Sequence, residues 1–296
     1  MKLFYLILAH KNLPQVNRMI NALRHEQAEF FIHFDARIPL EEIRRYPFFN
    51  TPGITVMRNR HKINWGGYNM VRATLGLIRA ACRKKEAGYL ILLSGQDFPI
   101  KSPAYIYDFL KENNGREYLE YFALPNDNWG LNNGLDRIQY LWFVDTIDIE
   151  SCYKLYEMQK YNGMQRLYFR EVPPYGGSQW WCITTECADY VLRFLRNNPV
   201  YEAYFQYCFI PDETFFNTII LNSPFKEHTI NNNLKHIEWV GGGAHPRTFT
   251  MNEWDDLVQS DRLWARKFVD EGNSPVLDRL EAHIKQVSTA ANGHAK

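Results

Sequence analysis

Apolar and polar positions follow two different periods along the first 115 residues. Residues 2–9, 30–34 and 89–93 are nearly continuous apolar runs, which predict strands that are buried on both faces, and residues 55–57 form a weaker strand. Residues 17–25 and 69–83 instead carry apolar positions at helical spacing. Strands that alternate with helices predict an α/β fold with a Rossmann-like, mostly parallel sheet flanked by helices.

The periodicity changes after this region. Residues 120–175 are rich in Asn, Gly, Tyr and Trp and predict loops and short elements that shape a cleft. Regular structure is expected again in a strand at 179–184 and in helices at 187–197 and 215–221. The small, polar segment 288–296 predicts a disordered tail.

Composition and charge narrow the class of protein. The 296 residues contain 34 Lys and Arg against 33 Asp and Glu, so a net charge of +1 argues against nonspecific nucleic-acid binding. Hydrophobic residues at 46% and charged residues at 23% are typical of a globular chain. The aromatic content of 15% is high, and flat amphipathic rings suit the faces of sugars and bases as well as a core.

Cysteines and apolar segments bear on the compartment. The five cysteines are scattered without C-x-x-C spacing, so neither a disulfide framework nor a zinc site is predicted. The early apolar run at 3–9 is too short for a membrane-spanning helix, which needs about 20 residues, and lacks a signal-peptide cleavage site. We therefore expect a cytoplasmic protein without a transmembrane segment.

Polar residues follow the ends of the predicted parallel strands. His10 and Lys11 follow the first strand, Asp35 follows the second, and Asp97 lies just after residues 89–93. Ligands of open α/β sheets bind at the carboxyl ends of strands, so these positions are candidates for holding a nucleotide.

A second candidate is the acidic pair Asp212 and Glu213. The pattern predicts Asp212 as a helix N-cap and Glu213 in the first helical turn, where the helix dipole favours the ionised carboxylate that a general base requires. The alternative is that Glu213 only complements the helix dipole.

A third candidate is the C-terminal segment, where glycines 241–243 permit close backbone approach to a ligand. Arg247 and Lys267 could supply cations for a phosphate pair. The alternatives are an ordinary loop for the glycines and a solvated helical face for Arg266 and Lys267.

Several nucleotide and metal motifs are missing from the sequence. It has neither a P-loop nor a G-x-G-x-x-G fingerprint, and no D-x-D triplet that would hold a divalent ion on a nucleotide diphosphate. His33 and Asp35 form a fragment of a metal site for which no third ligand can be named, so metal binding there is disfavoured.

Nine short motifs occur in a consistent order along the chain. They are ILAHK at 7–11, HFD at 33–35, WGG at 65–67, LLSGQDFPIK at 92–101, GSQWW at 177–181, PDE at 211–213, W at 239, HPR at 245–247 and DRLWARKF at 261–268. In this order the motifs resemble the Core-2/I-branching β-1,6-N-acetylglucosaminyltransferases and the peptide O-xylosyltransferases, in a short bacterial form.

The resemblance implies a GT-A-like glycosyltransferase fold in a single domain at 1–287, followed by the tail at 288–296. The domain would consist of a nucleotide-binding half at 1–115 and an acceptor-binding and catalytic half at 116–287. The implied activity is inverting, metal-independent transfer of a sugar, with GlcNAc favoured, from a UDP-sugar to a hydroxyl of a glycan acceptor in bacterial polysaccharide synthesis. No cofactor is expected.

The resemblance also assigns roles by position. Glu213 matches the catalytic base, and Arg247 and Lys267 match the basic pair that meets the diphosphate. Asp97 has two open roles, a hydrogen bond to a donor-sugar hydroxyl or bracing of its own loop. The remaining matches are His10, Lys11, Asp35 and Trp65 near the uridine and Glu120, Arg137 and Trp239 near the acceptor. Of the other tryptophans, Trp180, Trp181 and Trp264 are expected to pack the walls.

Some alternatives stay open. The donor could be xylose or galactose, the acceptor a free glycan or a lipid-linked oligosaccharide, and the enzyme peripheral at the inner membrane face. The membrane anchor, stem and disulfides of the animal Golgi enzymes are missing here, so their localisation does not transfer. A glycan-binding module would use the aromatic rings without binding UDP, and a glycoside hydrolase would need two catalytic carboxylates.

Overall fold

A computed structural model describes residues 1–240, 245–270 and 272–293. The strands are β1 (Lys2–Ala9), β2 (Ala28–Phe34), β3 (Ile54–Val56), β4 (Gly88–Ser94), β5 (Asp97–Pro99), β6 (Glu117–Ala123), β7 (Tyr175–Thr184), β8 (Thr229–Asn231), β9 (Lys235–Ile237) and β10 (Trp264–Arg266). The helices are α1 (Leu13–Ala22), α2 (Leu40–Arg44), α3 (Asn69–Cys82), α4 (Pro103–Glu112), α5 (Gly130–Asn133), α6 (Asp136–Gln139), α7 (Ile149–Tyr161), α8 (Thr185–Asn197), α9 (Pro199–Phe205), α10 (Phe215–Leu221), α11 (Trp254–Gln259) and α12 (Pro275–Gly293).

The chain divides into two compact units that do not follow chain order. Unit 1 comprises Met1–Arg58, Glu86–Gly115 and Leu234–Lys296, and unit 2 comprises Asn59–Lys85 and Arg116–Asn233. The C-terminal segment therefore belongs to the same unit as the N-terminal strands, whereas the sequence-based halves divide the chain once, at residue 115.

Unit 1 contains a parallel sheet in the order β3-β2-β1-β4. Strands β1 and β4 are buried almost along their whole length, because apolar side chains cover both faces. Helix α1 connects β1 to β2 and buries Leu13, Val16, Met19 and Ile20. The predicted fold class is confirmed: a Rossmann-like α/β protein with a mostly parallel sheet and flanking helices.

A second, smaller sheet in unit 1 positions charged residues. Its order is β5-β10-β9, with β10 antiparallel to β5 and parallel to β9. In this register Arg266 lies opposite Asp97 on one side and Ile237 on the other. The solvated helical face that the sequence suggested for Arg266 and Lys267 is therefore wrong for Arg266, which lies on a strand.

Unit 2 is built on strands β7, β6 and β8, with β6 antiparallel to β7 and parallel to β8. Its core includes a cluster of aromatic rings that contains Trp142, Tyr156 and Phe209, and Trp142 stacks on Phe209 at a centroid distance of 4.4 Å. The segment 120–175, predicted to hold loops and short elements, also contains the 13-residue helix α7.

The C-terminal region differs in part from its prediction. Helix α12 continues to Gly293, so it includes residues 288–293, for which composition predicted disorder. Two alanines, the best helix formers, lie in that stretch. Residues 294–296 and the glycines at 241–243 lie outside the described residues. Across the described part of the chain, none of the helices is long and apolar enough to cross a membrane.

Candidate active site

The predicted site residues form two groups, one in each unit. Unit 1 holds seven of them and unit 2 holds four. Those of unit 1 are His10, Lys11, Asp35, Asp97, Trp239, Arg247 and Lys267, and those of unit 2 are Trp65, Glu120, Arg137 and Glu213.

The first group includes a cluster of positive charge, the basic cluster, formed by Lys11, Arg266 and Lys267 with His10 beside them. Burial, Arg266 and Lys11 each lower the pKa of Lys267, which shows that the three cations are close enough to repel one another. Burial also lowers the pKa of His10, with Lys11 and Arg266 acting in the same direction and Asp35 opposing them. A lowered pKa favours the neutral form of His10, and the excess of cations makes this end of β1 attractive to an anion.

Arg247 lies next to Lys267 because their backbones are paired. The Lys267 N–H donates to the Arg247 carbonyl at 3.2 Å. The Arg247 guanidinium is held by two carboxylates, with Nε 3.1 Å from Glu238 and Nη1 2.9 Å from Glu253. The structure therefore brings the backbones of the predicted basic pair, Arg247 and Lys267, into contact. The two carboxylates compensate most of the charge of Arg247.

Asp97 is a structural brace in this fold. Its side chain is 0% exposed, and its oxygens accept hydrogen bonds from the Ser94 N–H and Oγ, from Lys235 Nζ and from Arg266 Nη1. Burial opposes ionisation, but Lys235 and Arg266 outweigh it and hold the pKa of Asp97 below its ordinary value. These contacts correspond to the bracing alternative and leave no exposed oxygen for a sugar hydroxyl.

Sequence reasoning missed Lys235 and undervalued Arg266. Lys235 is 5% exposed, and nothing in the surrounding sequence marks it as a partner of a residue 138 positions away. Arg266 is adjacent to a predicted site residue, but only the strand pairing shows that its side chain joins Asp97 to the basic cluster.

Asp35 is buried at the end of β2 and accepts hydrogen bonds from the Arg37 N–H at 2.8 Å and Nη1 at 3.0 Å.

Within residues 1–240, 245–270 and 272–293, no group of three His, Cys, Asp or Glu side chains is arranged to hold a metal ion. All five cysteines are free.

In unit 2 the acid cluster consists of Glu120, Asp212 and Glu213. Residues Pro211–Glu213 form a short 3₁₀ turn that precedes α10, and the N-cap of α10 is Thr214. The predicted N-cap role of Asp212 is therefore wrong, because the turn places both acids before the helix begins. Asp212 is buried, whereas the Glu213 side chain is 30% accessible.

Burial raises the pKa of Glu213, Arg137 opposes the rise, and Glu120 adds to it. Burial and Glu213 likewise raise the pKa of Asp212. The sequence predicted the opposite direction for Glu213, from a helix dipole that the 3₁₀ turn does not supply. A raised pKa suits a general base, because proton transfer is most effective when the pKa lies near the working pH.

Arg137 is the partner of Glu213. Its Nη1 donates to Glu213 Oε2 at 2.8 Å, and its guanidinium carbon lies 3.8 Å from the ring centroid of Trp129. Glu120 is exposed and accepts a hydrogen bond from Asn233 at 2.9 Å. Unit 2 thus brings together the predicted base and two of the three residues predicted to lie near an acceptor.

The five tryptophans of the sequence motifs divide into an exposed and a buried group. Trp65 and Trp239 are 54% and 61% exposed, so their faces are available to a flat ligand. Trp180, Trp181 and Trp264 are buried, so their rings contribute to packing in the interior.

The fold and these two clusters define an α/β protein with an anion-attracting cluster and a carboxylate with a raised pKa. A family model described as Core-2/I-Branching enzyme matches residues 3–262. The chain therefore belongs to the Core-2/I-branching enzyme family, a family of glycosyltransferases, as the sequence motifs predicted.

Two xylosyltransferases are similar to this chain over nearly its whole length. Xylosyltransferase 2 of Canis lupus familiaris is 26% identical over 317 residues, which cover 96% of this chain and 34% of that protein. Xylosyltransferase oxt of Drosophila pseudoobscura pseudoobscura is 26% identical over 313 residues, which cover 94% of this chain and 32% of that protein. The chain thus spans about a third of the length of these relatives.

The similarity to solved structures is weak. Residues 1–349 of TarS from S. aureus match with 12% identity and a TM-score of 0.37, covering 76% of this chain and 56% of that chain. A TM-score below 0.5 does not establish a shared fold.

Proposed function

We propose that the chain is an inverting glycosyltransferase that moves a sugar, with GlcNAc as the favoured donor, from a UDP-sugar to a hydroxyl of a glycan acceptor. No divalent metal takes part in the proposed reaction. The observation that carries the proposal is Glu213: a partly accessible carboxylate with a raised pKa, paired to Arg137, in a chain of this family.

Glu213 acts as the general base. Inversion requires the acceptor oxygen to attack the anomeric carbon on the face opposite the leaving group, and one base is enough to remove its proton. Arg137 keeps enough of the Glu213 population ionised to accept that proton, while burial keeps the carboxylate basic. After transfer, the sugar is bonded to the acceptor oxygen, UDP has left with the bonding electron pair, and Glu213 carries the proton.

The basic cluster stabilises the leaving group. Negative charge builds on the β-phosphate as the bond between sugar and UDP breaks, and fixed cations can stabilise that charge. Lys267 and Lys11 are the cations available for it, whereas Arg247 must share its charge with Glu238 and Glu253. Metal-independent catalysis is proposed because these side chains can supply the charge that a divalent ion would supply.

The described contacts of the two clusters do not distinguish one donor sugar from another. The relatives reported above are named xylosyltransferases, so UDP-xylose is the main competitor of UDP-GlcNAc as the donor. We further propose that the enzyme acts at the inner face of the bacterial membrane, with free or lipid-linked glycans as acceptors. This part of the proposal rests on the family resemblance.

The test is release of UDP from a panel of UDP-sugars in the presence of glycan acceptors, with and without EDTA. We expect one UDP-sugar to turn over equally in both conditions.

Glu213→Gln should bind UDP as the wild type does and lose at least about 100-fold in turnover, the range for removal of a general base. Glu227→Gln is the matched control, because Glu227 is exposed in another short 3₁₀ turn of unit 2. Turnover of Glu213→Gln near the wild-type rate would exclude Glu213 as the base, and glycan binding with neither UDP binding nor turnover would favour a glycan-binding protein.

A further inference from the structure

Trp129 lies directly against the arginine that holds the proposed base. The Arg137 guanidinium carbon is 3.8 Å from the centroid of the Trp129 ring, well within the range of a cation–π contact. The same guanidinium donates to Glu213 at 2.8 Å. One planar group is therefore fixed from two directions, by an aromatic face and by a carboxylate.

The indole occupies a slot that two glycines leave open. A Cβ on Gly134 would lie 2.5 Å from Cε3 of the Trp129 ring, and a Cβ on Gly176 would lie 2.7 Å from its Cη2. Phe122 meets the ring edge-on at a centroid distance of 4.9 Å. Because any side chain at these two positions would overlap the ring, the local backbone is shaped around the indole.

The backbone that carries Arg137 is anchored separately. The neighbouring Asp136 is buried, and its carboxylate accepts hydrogen bonds from the Tyr156 hydroxyl at 2.6 Å and from Asn132 at 2.9 Å. Trp142 donates its indole N–H to the Asp136 carbonyl at 3.0 Å. The start of the Arg137 side chain is thus fixed, and the indole of Trp129 restrains its far end.

We propose that Trp129 is a positioning residue that holds the Arg137 guanidinium against Glu213. This inference rests on the proposed function, because it assigns Trp129 an effect on the same base. Trp129 needs no contact with a substrate to act in this way. Its effect passes through the charge that Arg137 presents to the carboxylate.

The sign of the effect follows from the charges that face Glu213. They are Arg137, Asp212 on the same turn and Glu120 on β6, and Arg137 is the cation among them. If the indole is lost, the guanidinium has other conformations available and its average contact with Glu213 weakens. The pKa of Glu213 then rises, so the base loses its ionised form at a higher pH than in the wild type.

The experiment compares the pH dependence of kcat in the full chain carrying Trp129→Leu or Trp129→Phe. We expect the acidic limb of Trp129→Leu to move up by about 0.5 pH unit, so that turnover falls about threefold on the limb and returns to the wild-type rate at high pH. Trp129→Phe keeps an aromatic face against Arg137, so its acidic limb should stay close to the wild-type position. Trp254→Leu is the matched control, since Trp254 also lies under an arginine, Arg279 at 4.1 Å, but belongs to α11 of unit 1.

Gly176→Ala supplies a second route to the same state. It leaves Trp129 in the sequence and places a methyl group where the ring lies, so it should shift the limb in the same direction. This variant decides the question if Trp129→Leu does not fold, as judged by circular dichroism. An equal loss at every pH, or an unchanged limb in folded variants, overturns the proposal. Wild-type turnover in Glu213→Gln would instead overturn the proposed function itself.

Discussion

At the scale of single residues, the protonation of Glu213 sets the expected pH dependence of transfer. Burial raises the pKa of Glu213 above its ordinary value, although Arg137 opposes the rise. A base acts only when ionised, so kcat should fall as the pH decreases through this raised pKa and should be constant above it. A pH series of kcat at saturating substrate measures the midpoint. A kcat that stays constant down to the ordinary pKa of glutamate, about 4.3, would contradict the assignment.

The two cations proposed to meet the diphosphate should differ in their contribution. Lys267 lies beside Lys11 and Arg266, which repel it, whereas Arg247 is held by Glu238 and Glu253. Among the described residues carboxylates pair with Arg247 and not with Lys267, so a phosphate should gain more from Lys267. Lys267→Ala should therefore weaken UDP binding about tenfold, roughly 1.4 kcal/mol, and Arg247→Ala should weaken it less.

Calorimetric titration with UDP measures both affinities. Lys154→Ala is a suitable control for the loss of one positive charge, because Lys154 is an exposed lysine on α7 of unit 2. The reverse order of the two effects would show that the pairing of Arg247 with its carboxylates does not limit its contribution. Unchanged affinity in both variants would remove the basic pair from the diphosphate site.

At the scale of elements, the small sheet of β5, β10 and β9 depends on one buried carboxylate. Asp97 is 0% exposed and pairs with Lys235 of β9 and Arg266 of β10. Asp97→Asn would leave the buried Lys235 and the partly buried Arg266 without their anion, and breaking a buried ion pair typically costs about 3–5 kcal/mol of unfolding free energy. Urea denaturation at pH 7 measures this loss.

The same carboxylate also predicts a pH effect on stability. The pKa of Asp97 is lower in the folded chain than its ordinary value, so its contribution is present above the unfolded pKa and is lost as the pH falls through the folded one. Asp261→Asn is the control, because the Asp261 side chain is 84% accessible and its change should stay within about 0.5 kcal/mol. An equally small effect of Asp97→Asn would contradict the bracing role.

Elements with a strong periodic pattern could be predicted from the sequence, and elements that depend on distant partners could not. Strands β1, β2 and β4 and helix α3 lie where their apolar patterns place them. The pattern failed for α7, because this helix buries only Cys152 and Tyr156 and so carries little amphipathic signal. It also failed for β10, whose three residues become a strand only by pairing with β5 and β9.

The candidate site could likewise be predicted only in part from the sequence. The PDE motif identified Glu213 as a site residue and the family resemblance assigned Arg137 by position, and the structure places Arg137 Nη1 2.8 Å from Glu213 Oε2. The direction of the pKa shift of Glu213 was predicted wrongly, since burial is a property of the folded chain and not of the PDE motif. The role of Trp129 was out of reach for the same reason, because its slot is formed by glycines on either side of a long segment.

At the scale of the whole molecule, a ligand that binds only the folded chain must stabilise it. UDP at 100 times its Kd should add about 2.7 kcal/mol to the free energy of unfolding and raise Tm by several degrees. If fixed cations hold the diphosphate, the same rise should be seen in EDTA. UMP lacks the β-phosphate and is the matched ligand control; it should stabilise the chain less at equal concentration. Scanning calorimetry on the full chain decides the outcome: a rise that disappears in EDTA would mean that UDP binds through a divalent ion, and equal stabilisation by UMP would mean that the basic cluster does not meet the β-phosphate.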